Sequence, residues 1–182
     1  RKTYYNARGV WLPVIQAGAN LNYVYEGGTD PRIQQMLNAV TESLRLRMYI
    51  LKQSITYSVY YHFAASGSNN EKFGMVNLDN NTPWYPYHAY KIIGSNLRIG
   101  DSLIKSQSSS NDISSLSWID QGKLNILLIC KVNQTRTVSL SGLTGSLSFV
   151  KIDNSISSLQ TGTYSSTQPL TINGYTVILL QT

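Results

Sequence analysis

The chain has 182 residues, 42% of them hydrophobic, enough to build a core in one large domain or two small ones and to exclude a disordered tail. Only 13% are charged, against roughly 25% in ordinary soluble domains, and Ser, Thr, Asn, Gln and Tyr supply the polarity, a balance that suits an extracellular β-rich protein. The net charge of +6 reflects nine acids as much as fifteen scattered Lys and Arg, so no concentrated basic face for nucleic acid is expected.

From about residue 8 to 98 strand and helix signals alternate. "GVWLPVIQAG" is a mostly apolar run of strand length. After the Gly-rich turn "EGGTDP", the segment "RIQQMLNAVTESLRLRMYIL" repeats Ile33, Met36, Leu37, Val40, Leu44 and Met48 at helical spacing. Asp30 is the expected N-cap and Pro31 the first helical residue. "SITYSVYYHFA" then alternates at period two, with Ile55, Tyr57, Val59, Tyr61 and Phe63 on one face and Thr56, Ser58, Tyr60 and His62 on the other. Beyond a long loop, "YHAYKIIGSNLRI" reads as a second amphipathic helix. Strand, helix, strand, helix implies parallel strands with crossovers.

From about 99 onward the helical period is lost. Six strand-like runs, "DSLIKSQSS", "ISSLSWID", "KLNILLICKV", "RTVSLSG", "GSLSFVKI" and "PLTINGYTVILL", are separated by Ser, Gly and Asn turns, the pattern of an antiparallel sandwich of about 80 residues. "LNILLIC" is its expected central strand. Cys130 lies inside that run, so it is expected to be a buried inert thiol, and a single cysteine excludes an intrachain disulfide. No run of eighteen apolar residues is present, so no membrane span is expected. Asn80 in "NNT" and Asn133 in "NQT" fit the N-glycosylation sequon. The opening "RKTYY", without initiator Met or signal peptide, reads as a processed piece of something longer.

In this order and texture the chain resembles the C-terminal end of a retaining glycoside hydrolase of the large TIM-barrel clan, similar in layout to the β-xylosidase, iduronidase and glucosylceramidase-type families. The segment "SVYYHFAASGSNNEKFGMVNLDNNTPWYPYHAYKII" is similar to an eighth barrel strand, a loop of the "FGLVD…G…KPAYYAYK" type and the closing helix. "LLICKVNQTRTVSLSGL" and "INGYTVILL" are similar to strands of the family's sandwich. The resemblance implies an α/β plus all-β chain: residues 1–98 as the last two βα units of a (β/α)8 barrel (strand 7, helix 7, strand 8, helix 8), and 99–182 as an antiparallel β-sandwich.

In such families the nucleophile is a Glu at the end of the seventh strand. Aligning on "VWLP" puts Val14 there, and aligning on the later Gly of "IQAGAN" puts Gln16 there. Neither can form a glycosyl ester, and retention needs a second carboxylate about 5 Å away, which the family supplies from its fourth strand. Among the loop carboxylates Glu26, Asp30, Glu71 and Asp79, the helix cap and loop solubility account for the last three, leaving Glu26 as the candidate acid. Tyr60 and His62 are expected to face into the barrel as sugar-binding groups, with Tyr23, Tyr25, Phe73 and Trp84 on adjoining loops. Trp84, Tyr85, Tyr87 and Tyr90 alternatively fill the joint between barrel and sandwich.

No His, Cys or carboxylate stands at metal-ligand spacing from His62, and neither a nucleophile elbow nor a phosphate loop is present, so no metal or cofactor is implied. A quarter-barrel cannot close its sheet. The expected partners are therefore carbohydrate and a second polypeptide completing the barrel, most simply the N-terminal part of one precursor. A noncatalytic carbohydrate-binding or cell-surface structural protein, and an extracellular filament subunit, are the rival readings.

Overall fold

The structure is a computed structural model that describes residues 15–19, 31–52, 57–60, 63–65 and 74–182. Strands β1 (Ile15–Ala19) and β2 (Tyr57–Tyr60) pair in parallel, joined through helix α1 (Pro31–Lys52). This is the strand–helix–strand order expected from the sequence, and α1 starts at Pro31, where a fixed φ and a missing N–H cost nothing. Asp30, the expected cap, lies outside the described residues. Within the long loop, β3 (Ala64–Ala65) and β4 (Val76–Asn77) form a second short parallel pair. Helix α2 (Tyr85–Gly94) follows, starting two residues before the expected "YHAYK" and ending at Gly94, short of "SNLRI".

The rest is antiparallel. Strands β5 (Ser102–Ile104), β6 (Ile113–Asp120), β7 (Lys123–Cys130), β9 (Ser146–Ile152), β10 (Gln160–Ser165) and β12 (Val177–Gln181) form one sheet in the order β10-β9-β12-β7-β6-β5. β7 is an inner strand, as its unbroken apolar run implied. β6 and β7 are joined by a two-residue turn, Gln121–Gly122, with φ values of 49° and 82°, the left-handed pair that the right-handed twist of a hairpin favours. β8 (Arg136–Val138) and β11 (Leu170–Ile172) form a separate two-stranded ladder.

Alternation along the long strands sorts their side chains into two cores. On one face Leu116, Trp118, Leu127, Ile129, Ile152, Val177 and Leu179 pack against Met36, Ala39 and Val40 of α1 and Tyr85, Ala89, Ile92 and Ile93 of α2. On the other, Ile126, Leu128, Cys130, Leu147, Ile178 and Leu180 pack with Leu170 and Ile172 of β11. The layers are therefore helix pair, large sheet and small ladder. A single core crosses residue 98, and the Trp118 indole donates to the Asn96 carbonyl just past α2 (2.7 Å).

The buried side of α1 is rotated from the one its apolar spacing predicts. Met48 and Leu51 are exposed, while Asn38, Ala39, Glu42 and Ser43 are buried. Small residues let α2 approach closely, and the Ser43 hydroxyl finds its partner within the helix, on the Ala39 carbonyl (2.8 Å).

Candidate functional site

In parallel α/β sheets the chemistry collects where loops leave the C-terminal strand ends. Here those ends are Ala19 of β1 and Tyr60 of β2, which are register partners. From Gln16 to Ala19 β1 advances three residues while β2, from Ser58 to Tyr60, advances two, so β1 carries one extra residue near its end. Such bulges re-aim side chains at barrel rims and beside active sites. Gln16 lies opposite Ser58, three residues before the strand end. Val14, Tyr23, Tyr25, Glu26, His62, Glu71 and Phe73 lie outside the described residues.

Tyr60 meets α2. Its ring stands edge-on to Tyr90, with centroids 5.5 Å apart. Tyr60, expected to face into the barrel, has its side chain beside a polar cluster of Glu42, Arg45 and Tyr90. Glu42 of α1 is fully buried there, ion-paired with Arg45 and accepting from the Tyr90 hydroxyl at 3.1 Å. Arg45 also donates to the Tyr90 oxygen (3.1 Å) and lies over the Tyr49 ring. Burial raises the Glu42 carboxyl to about 7, opposed by the attraction of Arg45 and by the Tyr90 hydrogen bond. Tyr60 and Tyr90 are also pushed upward, first by burial and then by the Glu42 charge. Sequence reading missed this cluster because Glu42 and Arg45, at i and i+3, look like an ordinary surface pair. The flanking small residues Asn38, Ala39 and Ser43 were the available signal for close packing at that turn.

Trp84 is half-buried at the N-cap of α2, and its backbone N–H donates to the Met75 carbonyl (2.8 Å). Of the four aromatics expected at the joint, Tyr85 is in the core shared with the antiparallel sheet, whereas Tyr90 turns to Tyr60 and Glu42. Tyr87 stands edge-on to His88, a histidine whose buried ring is held below its usual pKa mainly by desolvation. Both sequon asparagines are exposed. Asn80 accepts the Thr82 N–H (3.0 Å) in a turn, and Asn133 accepts from the Asn154 amide (2.8 Å).

The antiparallel region carries two adjoining clefts, of about 690 Å³ and about 230 Å³, separated by the Ser-rich loop that follows β5. Their walls are rich in serine. Among the described residues no cluster of potential metal ligands occurs, and no helix is long and apolar enough to cross a membrane.

No protein-family model matches the chain, and no curated protein sequence matches it. Solved structures do. A family 30 subfamily 8 xylanase from Clostridium acetobutylicum superposes with a TM-score of 0.65 at 12% identity, covering 93% of this chain and 42% of its own. A conserved exported protein from Bacteroides fragilis gives 0.70 at 8% identity, covering 93% and 38%, and a family 86 β-porphyranase from Bacteroides plebeius gives 0.61 at 16%, covering 95% and 35%. The fold is glycoside hydrolase-like and partial. The chain spans between 29% and 42% of the length of such neighbours, and identities this low establish the fold alone.

Proposed function

We propose that this chain is the C-terminal portion of a secreted glycoside hydrolase-like protein that acts on or binds carbohydrate. In this reading residues 1–98 are the last two βα units of a barrel, and residues 99–182 are its sandwich-type accessory domain. The observation that carries it is that one superposition spans both regions, 93% of the chain, on a xylanase. Chains that shared only a sheet or only a helix pair would match over one region.

The parallel β1–β2 pair supports the barrel reading, since two short strands need neighbours on their edges and cover on both faces. The remaining barrel strands belong to further polypeptide, either a longer form of the same precursor or a second chain held across a large apolar interface. Secretion accords with the low charge, with the exported neighbour and with the exposed sequons Asn80 and Asn133.

The family nucleophile position falls on Gln16 or Val14, neither of them an acid, so catalysis depends on a carboxylate elsewhere, with Glu26 first. Tyr25, Tyr60, His62 and Trp84 are the proposed sugar contacts, and Tyr60 would need to leave its packing on Tyr90 or offer only its ring edge. A second reading, a noncatalytic binding or structural protein, draws on the same Gln16.

Native mass spectrometry of the protein from its source, alongside hydrolysis of aryl glycosides and polysaccharides, tests the proposal. A barrel-completing polypeptide with turnover that Glu26→Gln abolishes is the expected result for an enzyme. The same partner with binding and no turnover selects the noncatalytic reading. A folded 20.3 kDa monomer that neither binds nor cleaves any glycan would overturn both.

A further inference from the structure

At residues 113–116 the outer edge of β6 is not covered by β5, whose ladder reaches only Ser117–Ile119. Arg47 of α1 crosses to this edge and donates from Nε to the Ser115 carbonyl (2.6 Å). The guanidinium thereby occupies an edge acceptor that would otherwise invite another strand. It is also held in place beside Lys131, which follows β7 and is fixed by its backbone N–H on the Asp112 carbonyl (2.8 Å).

Arg47 and Lys131 line the same cleft of about 230 Å³. The other walls are serines, Gln107, Asn111 and one apolar residue, Ile113. Among the described residues no carboxylate lines it, and neither cation takes part in an ion pair. Ser115, more than nine-tenths buried at the wall shared with the larger cleft, has a hydroxyl without a hydrogen-bond partner. The larger cleft adds Lys105, further serines and an aliphatic wall that includes Ile126, Leu128, Leu140 and Leu143, and among the described residues it again holds neither an aromatic ring nor an acid; its Arg136 is already neutralised by Asp112 at 2.8 Å.

From this arrangement we infer that the antiparallel region carries its own binding site, distinct from the strand ends, for an acidic saccharide. Arg47 and Lys131 take the oxyanion of a uronate or sulfate ester, and the serine, Gln107 and Asn111 walls take ring hydroxyls. Arg47 and Lys131 line one concave pocket that has no acid among the described residues, a setting that favours a counter-charge such as a carboxylate or sulfate oxygen, which accepts from guanidinium and ammonium donors. Among the described residues no aromatic ring lines either cleft, which argues against a neutral sugar, whose recognition leans on stacking. The oxyanion part stands on the cleft alone; the saccharide part rests on the carbohydrate reading above.

Calorimetric titration of the full chain tests this with four probes: trigalacturonate, a singly sulfated galactose trisaccharide, neutral cellotriose and sodium sulfate. At least one acidic trisaccharide is expected to bind about tenfold or more tightly than cellotriose, and the tighter of the two identifies the oxyanion. Lys131→Ala should weaken that binding about tenfold, the worth of one charge-assisted hydrogen bond, and Lys131→Arg should retain it. Lys131 is half-exposed and its backbone bond survives the substitution, so an unchanged unfolding midpoint separates lost binding from lost folding. Equal affinity for cellotriose, or binding indifferent to Lys131→Ala, would overturn the oxyanion inference while leaving the carbohydrate reading intact. Sulfate binding as tightly as either acidic trisaccharide would overturn the saccharide part, and no binding by any probe would overturn both.

Discussion

The two regions of this chain solve the same problem in opposite ways. In the antiparallel region β6 and β7 share eight consecutive residue pairs closed by a two-residue turn, so each strand finds its partner locally. In the parallel region β1 and β2 pair over four or five residues, across a gap of 37 residues that includes α1. Parallel pairing needs such a crossover and draws its stability from what covers the sheet. Helix α1, which makes the crossover, and helix α2 take their own core from the antiparallel sheet, through Trp118, Leu127, Val177 and Leu179. The lesson is that the parallel strand ends depend on helices whose core is supplied by the antiparallel sheet.

The sharpest way to break this dependence is Trp118→Ala. The side chain is fully buried between sheet and helices and also anchors Asn96, so about 3–5 kcal/mol should be lost in denaturant unfolding, with α1 and α2 loosened together. Loss below about 1 kcal/mol would mean that the helices do not depend on the sheet. A paired substitution sharpens the comparison. Leu179 and Leu180 are adjacent, equally buried and on opposite faces, so each Leu→Ala change should cost about 2–5 kcal/mol. Only Leu179→Ala should speed amide exchange in α1 and α2; equal effects would refute the separation into two cores.

A smaller effect is expected at Glu42. Its carboxyl titrates near 7 in the folded protein against 4.5 in the unfolded chain, so the folded state holds the extra proton between those values. The group's contribution is therefore most favourable below about pH 4.5 and declines as pH rises towards 7. Unfolding midpoints of the native chain should fall across that window more steeply than those of Glu42→Gln, and parallel pH profiles would contradict the assignment. The smallest change is Gly122→Ala in the β6–β7 turn, where φ is 82° and no neighbour obstructs a Cβ; backbone strain alone should cost about 1 kcal/mol.

How much of this was legible follows the same divide. β6 runs from Ile113 to Asp120, the bounds of "ISSLSWID", because alternation and a tight turn are both local signals. β10 escaped notice: "QTGTYS" has no apolar stripe, and its central Gly162 is instead covered by the Phe149 ring of β9. "PLTINGYTVILL" was one run in sequence but two strands in space, β11 and β12, since Gly174 lies against the backbone of Asn133 and the chain changes layer there. In the parallel region the order of elements was readable. The buried face of α1 was not, because Glu42 and Ser43 are buried by helix packing and hydrogen bonds that spacing alone does not encode.

Native-state hydrogen exchange on the intact protein tests the central claim most directly. If α1 and α2 stand on the antiparallel sheet, their slowest amides should exchange with the same opening free energy as those of β7 and β12, and should rise and fall with them in denaturant. Helix amides that open at several kcal/mol lower free energy while β7 and β12 stay protected would contradict it.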